Sequence, residues 1–169
     1  AQWLAGRLDA DLTDPALTRD EIRAACTQAT GLGLHGVIVD PTHVTAVPDG
    51  LITSVVVGYP TGRHHSLVKA AEARLAVQEG AQVVWLAVDA TVTDTNALLA
   101  DVVAVRQAVP PPVRLAVITA GNVAARDAAT AGGADFCVGK HPVDQHPPGQ
   151  WLARAADLSE VVEALENGA

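Results

Sequence analysis

Short apolar runs rich in Val and Ile recur along this chain, separated by longer stretches in which apolar residues return every three or four positions. Trp3–Leu8, Gly36–Val39, Ile52–Val57, Val83–Val88, Arg114–Ile118 and Asp135–Val138 are apolar at nearly every position. Strands buried on both faces of a parallel sheet have this pattern. Between them, Thr18-Arg-Asp-Glu21 forms a capping box that opens a helix to about Thr30. Ser66–Gln78, Asp94–Ala108 and Val123–Thr130 keep the helical period, with Gly80 and Gly132 as C-terminal stops. This alternation predicts right-handed βαβ units in an α/β domain.

One junction repeats. Glu79-Gly-Ala-Gln82 leads into the strand through Trp85, and Gly132-Gly-Ala-Asp135 leads into the strand through Val138. The closing Glu166-Asn-Gly-Ala169 carries the same helix-exit signal. Six strands, with a seventh at Gln150–Ala153, fall one or two short of a closed eight-stranded barrel. The expectation is a single domain over residues 1–169, either a barrel cropped, remodelled or completed by another chain, or an open sheet.

Composition narrows the partners. The 169 residues carry a net charge of −8, which disfavours nucleic acid and anionic membranes as partners. The apolar half of the chain is mostly Ala, Val and Leu, and no apolar run reaches membrane-spanning length. Cys26 and Cys137 read as small buried hydrophobes, and no metal-ligand spacing appears. The expectation is a cytoplasmic domain with no metal and no cofactor, acting on a small molecule as a homo- or hetero-oligomer.

Gly132-Gly-Ala-Asp-Phe-Cys-Val-Gly-Lys140 carries the clearest candidate chemistry. It places a lysine at the mouth of a short strand among Val, Cys and Phe. Burial in such a setting lowers an amine's pKa, as Schiff-base chemistry requires. The alternative is a lysine leaving a strand into a polar loop.

A family resemblance runs through these segments. Leu8-Asp-Ala-Asp-Leu-Thr-Asp-Pro15-Ala-Leu-Thr18 resembles the opening strand and loop of deoxyribose-phosphate aldolases, and Val37-Ile-Val-Asp-Pro-Thr-His-Val44 their second strand. Val55-Val-Val-Gly-Tyr-Pro-Thr-Gly62 with Lys69-Ala-Ala-Glu-Ala-Arg74 is similar to their third strand and helix. Gly80-Ala81, Val113-Arg-Leu-Ala-Val-Ile-Thr119 and Gly133-Ala-Asp-Phe136 follow in order, up to about Lys140. The resemblance implies a TIM-type barrel, shortened to six or seven strands, with any site at the C-terminal ends of the strands.

It also implies losses. The family's Schiff-base lysine falls on Val138 and its proton-relay aspartate on Trp85. Its fifth-strand lysine becomes Arg114, which keeps the charge but cannot act as a neutral amine. A glutamate near that strand's end falls on Ile118. The second catalytic lysine aligns with Gln150, Arg154 or nothing, Pro142–Gly149 is too short for the sixth helix, and the phosphate loop is absent.

Strand alternation suggests a relocated site. Val138 and Lys140 share a face about 6–7 Å apart, as do Trp85, Ala87 and Asp89. Lys140 and Asp89 would then project near the mouth above an apolar floor of Trp85 and Val138, or else be ordinary rim charges. His141 and His146 flank the Pro-rich segment and serve either as acid–base groups or as plain loop residues. His64 and His65 read as a solvated loop pair. Thr61-Gly62 and Thr119-Ala-Gly121 offer backbone N–H groups to an oxyanion or phosphate, or simply punctuate turns. Asp9 matches a retained family aspartate and orders an internal network or binds substrate, and Asp40-Pro41 is a turn.

Two function classes fit. The first is a divergent aldolase-like lyase acting on a small carbonyl or phosphorylated metabolite by altered Schiff-base chemistry. Its catalytic candidates are Lys140, Asp89 and His141, and its substrate-binding candidates are Asp9, Thr61, Gly62, Trp85, Arg114 and Thr119. The second is a catalytically inactive aldolase-like barrel serving as a binding or assembly subunit.

Overall fold

Every strand among the described residues runs parallel to its neighbours. The computed structural model describes residues 5–139, the strand 151–154, and residues 158 and 163. Seven strands, β1 (Leu8–Asp11), β2 (Gly36–Val39), β3 (Ile52–Val57), β4 (Val83–Ala87), β5 (Arg114–Ile118), β6 (Phe136–Val138) and β7 (Trp151–Arg154), form one sheet. Their order is β6-β5-β4-β3-β2-β1-β7. Parallel neighbours need crossovers, and most are supplied by α1 (Arg19–Gly31), α2 (Ser66–Gln78), α3 (Thr95–Ala108) and α4 (Val123–Ala131). Between β2 and β3 the crossover shrinks to a 3-10 helix, Pro41–Ala46.

Side-chain alternation sorts the apolar residues into two cores. Val37, Val39, Val55, Val57, Val84, Leu86, Leu115 and Val117 pack under the helices. Ile38, Val56, Val83, Trp85, Ala116 and Val138 pack on the other face. Each fully buried Val or Leu is worth about 1.5–3 kcal/mol relative to exposure, so both faces hold the sheet together. The second face is the inside of a curve. In a flat sheet β1 and β6, five strand spacings apart, would lie about 24 Å from one another. Here Asp9 on β1 and Phe136 on β6 line the same cavity of about 190 Å3. The sheet is therefore curled into a shortened TIM-type barrel, with β6 and β7 as the ends of the strand order.

Local signals place most elements. Thr18 caps α1 through the capping box, its hydroxyl accepting from Glu21 N at 3.2 Å while Glu21 Oε2 accepts from Thr18 N at 3.3 Å. Asp94 and Asn122 cap α3 and α4, so Asp94 lies just outside the helix expected to begin with it. At the end of α4 the two glycines divide the work. Gly133 takes the positive φ of 83°. Gly132 keeps φ −85°, and a Cβ there would meet Val102 Cγ1 of α3 at 2.4 Å. Burial pushes the Cys26 thiol up to about 11, and both cysteines are free.

Two strands correct the sequence expectation. β1 is Leu8–Asp11, not Trp3–Leu8: Ala5 is helical and residues 6 and 7 form a turn. The ladder to β2 fixes this register, with His35 N donating to Leu8 O at 3.0 Å and Leu12 N to Ile38 O at 2.8 Å. Leu8, Ala10 and Leu12 then face the helices, leaving Asp9 on the concave side. The seventh strand, expected at Gln150–Ala153, is Trp151–Arg154. It pairs with β1, from Leu8↔Trp151 to Asp11↔Arg154.

Candidate functional site

The barrel interior carries no charge where the aldolase resemblance puts its two principal catalytic groups. Trp85, the middle residue of β4, is 4% exposed, and Val138, the last of β6, is 3% exposed. Both belong to the concave apolar cluster, with Ala116 of β5 between their strands and Ile118 packed against it. An indole and an isopropyl group can neither form an imine nor move a proton to carbon.

Polar groups at the C-terminal ends of the strands are engaged by their own loops. Asp89, just past β4, accepts from Thr91 N at 2.9 Å and Thr91 Oγ1 at 2.6 Å through Oδ1, and from Arg63 Nε at 3.2 Å through Oδ2. The Thr91 hydroxyl and N–H, then the Arg63 charge, hold this carboxyl below the usual range. Thr61 Oγ1 accepts from Arg63 N at 3.2 Å. Gly62 N donates to Gly58 O at 2.8 Å, and Thr119 N to Val138 O at 2.9 Å. Those two N–H groups, candidates for an oxyanion or phosphate, are thus used inside the fold. Gly62 is required for a close approach: its φ is +67° and a Cβ would lie 2.2 Å from Val88 C. Lys140, His141 and His146 lie outside the described residues.

Lys69 and Lys140 are the only two lysines in the sequence. Lys69 is fully buried on the helix side of the sheet, where Nζ donates to Asp101 Oδ2 and to Gly62 O, each at 2.6 Å. Ser66 Oγ reaches the other oxygen of Asp101, and Gly58 N donates to Glu72 Oε1 at 2.9 Å. The Gly58-to-Gly62 loop and the Lys69-to-Glu72 stretch quoted for the resemblance are thus one scaffold, tying the β3–α2 loop to α2 and α3. With an aspartate and a carbonyl around it, the Lys69 amine is shut away from solvent.

The Gly-Ala-Asp-Phe segment is equally structural. Asp135 Oδ2 accepts from Leu115 N at 2.8 Å and Arg106 Nη1 at 3.0 Å, joining the entrance of β6 to β5 and α3.

At the N-terminal ends of the strands, three of the expected residues share one space. Asp9, Trp85 and Arg114 line the cavity of about 190 Å3 together with His35, Ser54, Gln82 and Phe136. Thr61, Gly62, Asp89 and Thr119 belong to loops at the opposite end, so the residues expected to form one mouth occupy two ends of the sheet. Register explains the split: Arg114 opens β5, whereas Thr119 follows its last residue. His35 Nδ1 lies 2.7 Å from Asp9 Oδ1, with Asp9 buried. The hydrogen bond to Asp9 raises the His35 pKa above its ordinary value against the opposing effects of burial and of Arg114. Sequence reading missed His35. Its one signal was its place just before Gly36 of β2, and only the pairing Asp9↔Gly36 makes it a partner of Asp9.

Among the described residues, no group of three His, Cys, Asp or Glu side chains is placed to hold a metal ion. Nor is any helix there long and apolar enough to cross a membrane.

No protein-family model matches the chain. Curated relatives do. The deoxyribose-phosphate aldolase of Nocardia farcinica is 38% identical over 165 residues, covering 92% of this chain and 73% of that protein. That of Corynebacterium glutamicum is 40% identical over 165 residues, covering 86% of this chain and 71% of that protein. Among solved structures, the tetrameric deoxyribose phosphate aldolase of Aeropyrum pernix superposes with a TM-score of 0.74 at 21% identity, over 82% of this chain and 65% of that one. The last likeness establishes the barrel fold; the first two, at this identity over most of both chains, place the protein in the deoxyribose-phosphate aldolase family.

Proposed function

We propose that this chain is a divergent, aldolase-like barrel that binds a small carbonyl or phosphorylated metabolite without running the family's standard Schiff-base reaction. The observation that carries this reading is the buried apolar pair Trp85 and Val138, at the two positions where the resemblance puts the proton-relay aspartate and the imine-forming lysine. Its setting would be the cytoplasm. An assembly with itself or a second chain is supported by the tetrameric form of the Aeropyrum pernix relative.

A second reading, an altered lyase at the mouth, is favoured by a different observation. With Lys69 locked against Asp101, an imine would have to form on Lys140, with Asp89 and His141 as carboxylate and acid–base neighbours. Nζ would attack the carbonyl carbon, water would leave, and borohydride would reduce the C=N bond to a secondary amine that survives digestion. Treating the protein with deoxyribose phosphate and borohydride therefore separates the readings. An unchanged intact mass fits the binding barrel. A stoichiometric adduct mapped to Lys140 overturns it in favour of the lyase.

A further inference from the structure

The cavity at the N-terminal end of the barrel lies at the opposite end of the sheet from Asp89. Its walls are apolar and partly aromatic: Ile52 of β3, Val83 and Trp85 of β4, and Phe136 of β6. At about 190 Å3 it exceeds the roughly 150 Å3 apolar cavity that takes up benzene in another protein, so one six-membered ring fits with room for a small substituent.

Charge at the opening is asymmetric. Asp9 is met by His35 at 2.7 Å. Arg114 carries a permanent charge, its guanidinium carbon stands 4.8 Å from the centre of the Phe136 ring, and its side chain is exposed. Among the described residues, no carboxylate or carbonyl accepts from that guanidinium. A planar cation held over an aromatic face and lacking an acceptor is well disposed to grip a carboxylate with two parallel hydrogen bonds.

We propose that this cavity is a binding site for a small, flat monocarboxylate, with its carboxylate on Arg114 and its apolar body between Trp85 and Phe136. A singly charged ligand suits one uncompensated cation beside an already paired aspartate. Among the described residues, Asp89 at the opposite end does not line it.

The test titrates the whole protein, labelled with 15N, with sodium benzoate and follows the tryptophan indole signals, assigned with a Trp85→Phe variant. The Trp85 signal should shift saturably, with a Kd on the order of millimolar for so small a ligand. Benzyl alcohol, of nearly the same shape but uncharged, should bind at least about tenfold more weakly, the scale of one charge-assisted contact. The Arg114→Met variant should lose a similar factor for benzoate and nothing for benzyl alcohol. An unmoved Trp85 signal, equal affinity for benzoate and benzyl alcohol, or unchanged benzoate affinity in a folded Arg114→Met protein would each overturn the proposal. The comparison of the two ligands needs no variant, so it stands even if a substitution prevents folding. Failure here leaves the lysine-trapping result untouched, and the reverse also holds.

Discussion

At the C-terminal ends of β3, β4 and β5, polar side chains are consumed by the loops that carry them, whereas at the N-terminal ends polar groups line an open cavity. Asp89 caps a turn at Thr91, the N–H groups of Gly62 and Thr119 close backbone bonds, and Lys69 clamps the β3–α2 loop to α3. Arg114, by contrast, rests on Phe136 with its hydrogen-bond donors turned to solvent or ligand. The difference shows how polar side chains at one end of a barrel can serve its framework while those at the other end stay open to a cavity. The polar atoms of Lys69, Glu72 and Asp135 hold loops and strand entrances in place. Trp85 and Val138 project into the interior, where an apolar side chain packs without leaving a backbone group unpaired.

Substitutions should divide along the same line. Asp101→Ala removes the counter-charge of a fully buried ammonium. Breaking such a pair costs about 3–5 kcal/mol, so urea unfolding should show a loss of that order. A loss under about 1 kcal/mol would mean that the clamp is not what holds the mouth. Arg114→Met removes only an exposed ring contact, worth about 0.5–1 kcal/mol. The same measurement should find it near parental stability, and a loss matching that of Asp101→Ala would erase the contrast.

The smallest effect is a pH dependence at the N-terminal end. The hydrogen bond to Asp9 raises the folded-state pKa of His35 above the unfolded value of about 6.5. Protonated His35 therefore contributes stability that is fully present below about pH 6.5 and is lost as pH rises through the higher folded value. The parent's melting temperature should fall relative to that of His35→Gln as pH is raised across this window. Parallel curves would mean that the pair does not ionise as described.

Much of this was legible in the sequence because it rests on local signals. Apolar runs located five strands to within a residue, the Thr18–Glu21 box set the start of α1, and alternation placed Trp85 and Val138 on one face. Missing were the features that depend on register between distant segments. The apolar Trp3–Leu8 run looks more like a strand than Leu8–Asp11, whose two aspartates only make sense once one of them faces His35 across β2. Chain order likewise does not reveal that β7 docks on β1, nor that Arg114 and Asp9 meet around one cavity at the end opposite to Thr119. A loop N–H looks available in sequence, and only the fold shows that its hydrogen bond is already made.

The account stands most directly on whether the barrel forms an imine. Intact-mass analysis after borohydride treatment with deoxyribose phosphate should return the unmodified chain, because Val138 has no amine and Lys69 is sealed against Asp101. A stoichiometric reduced adduct on either lysine would contradict it.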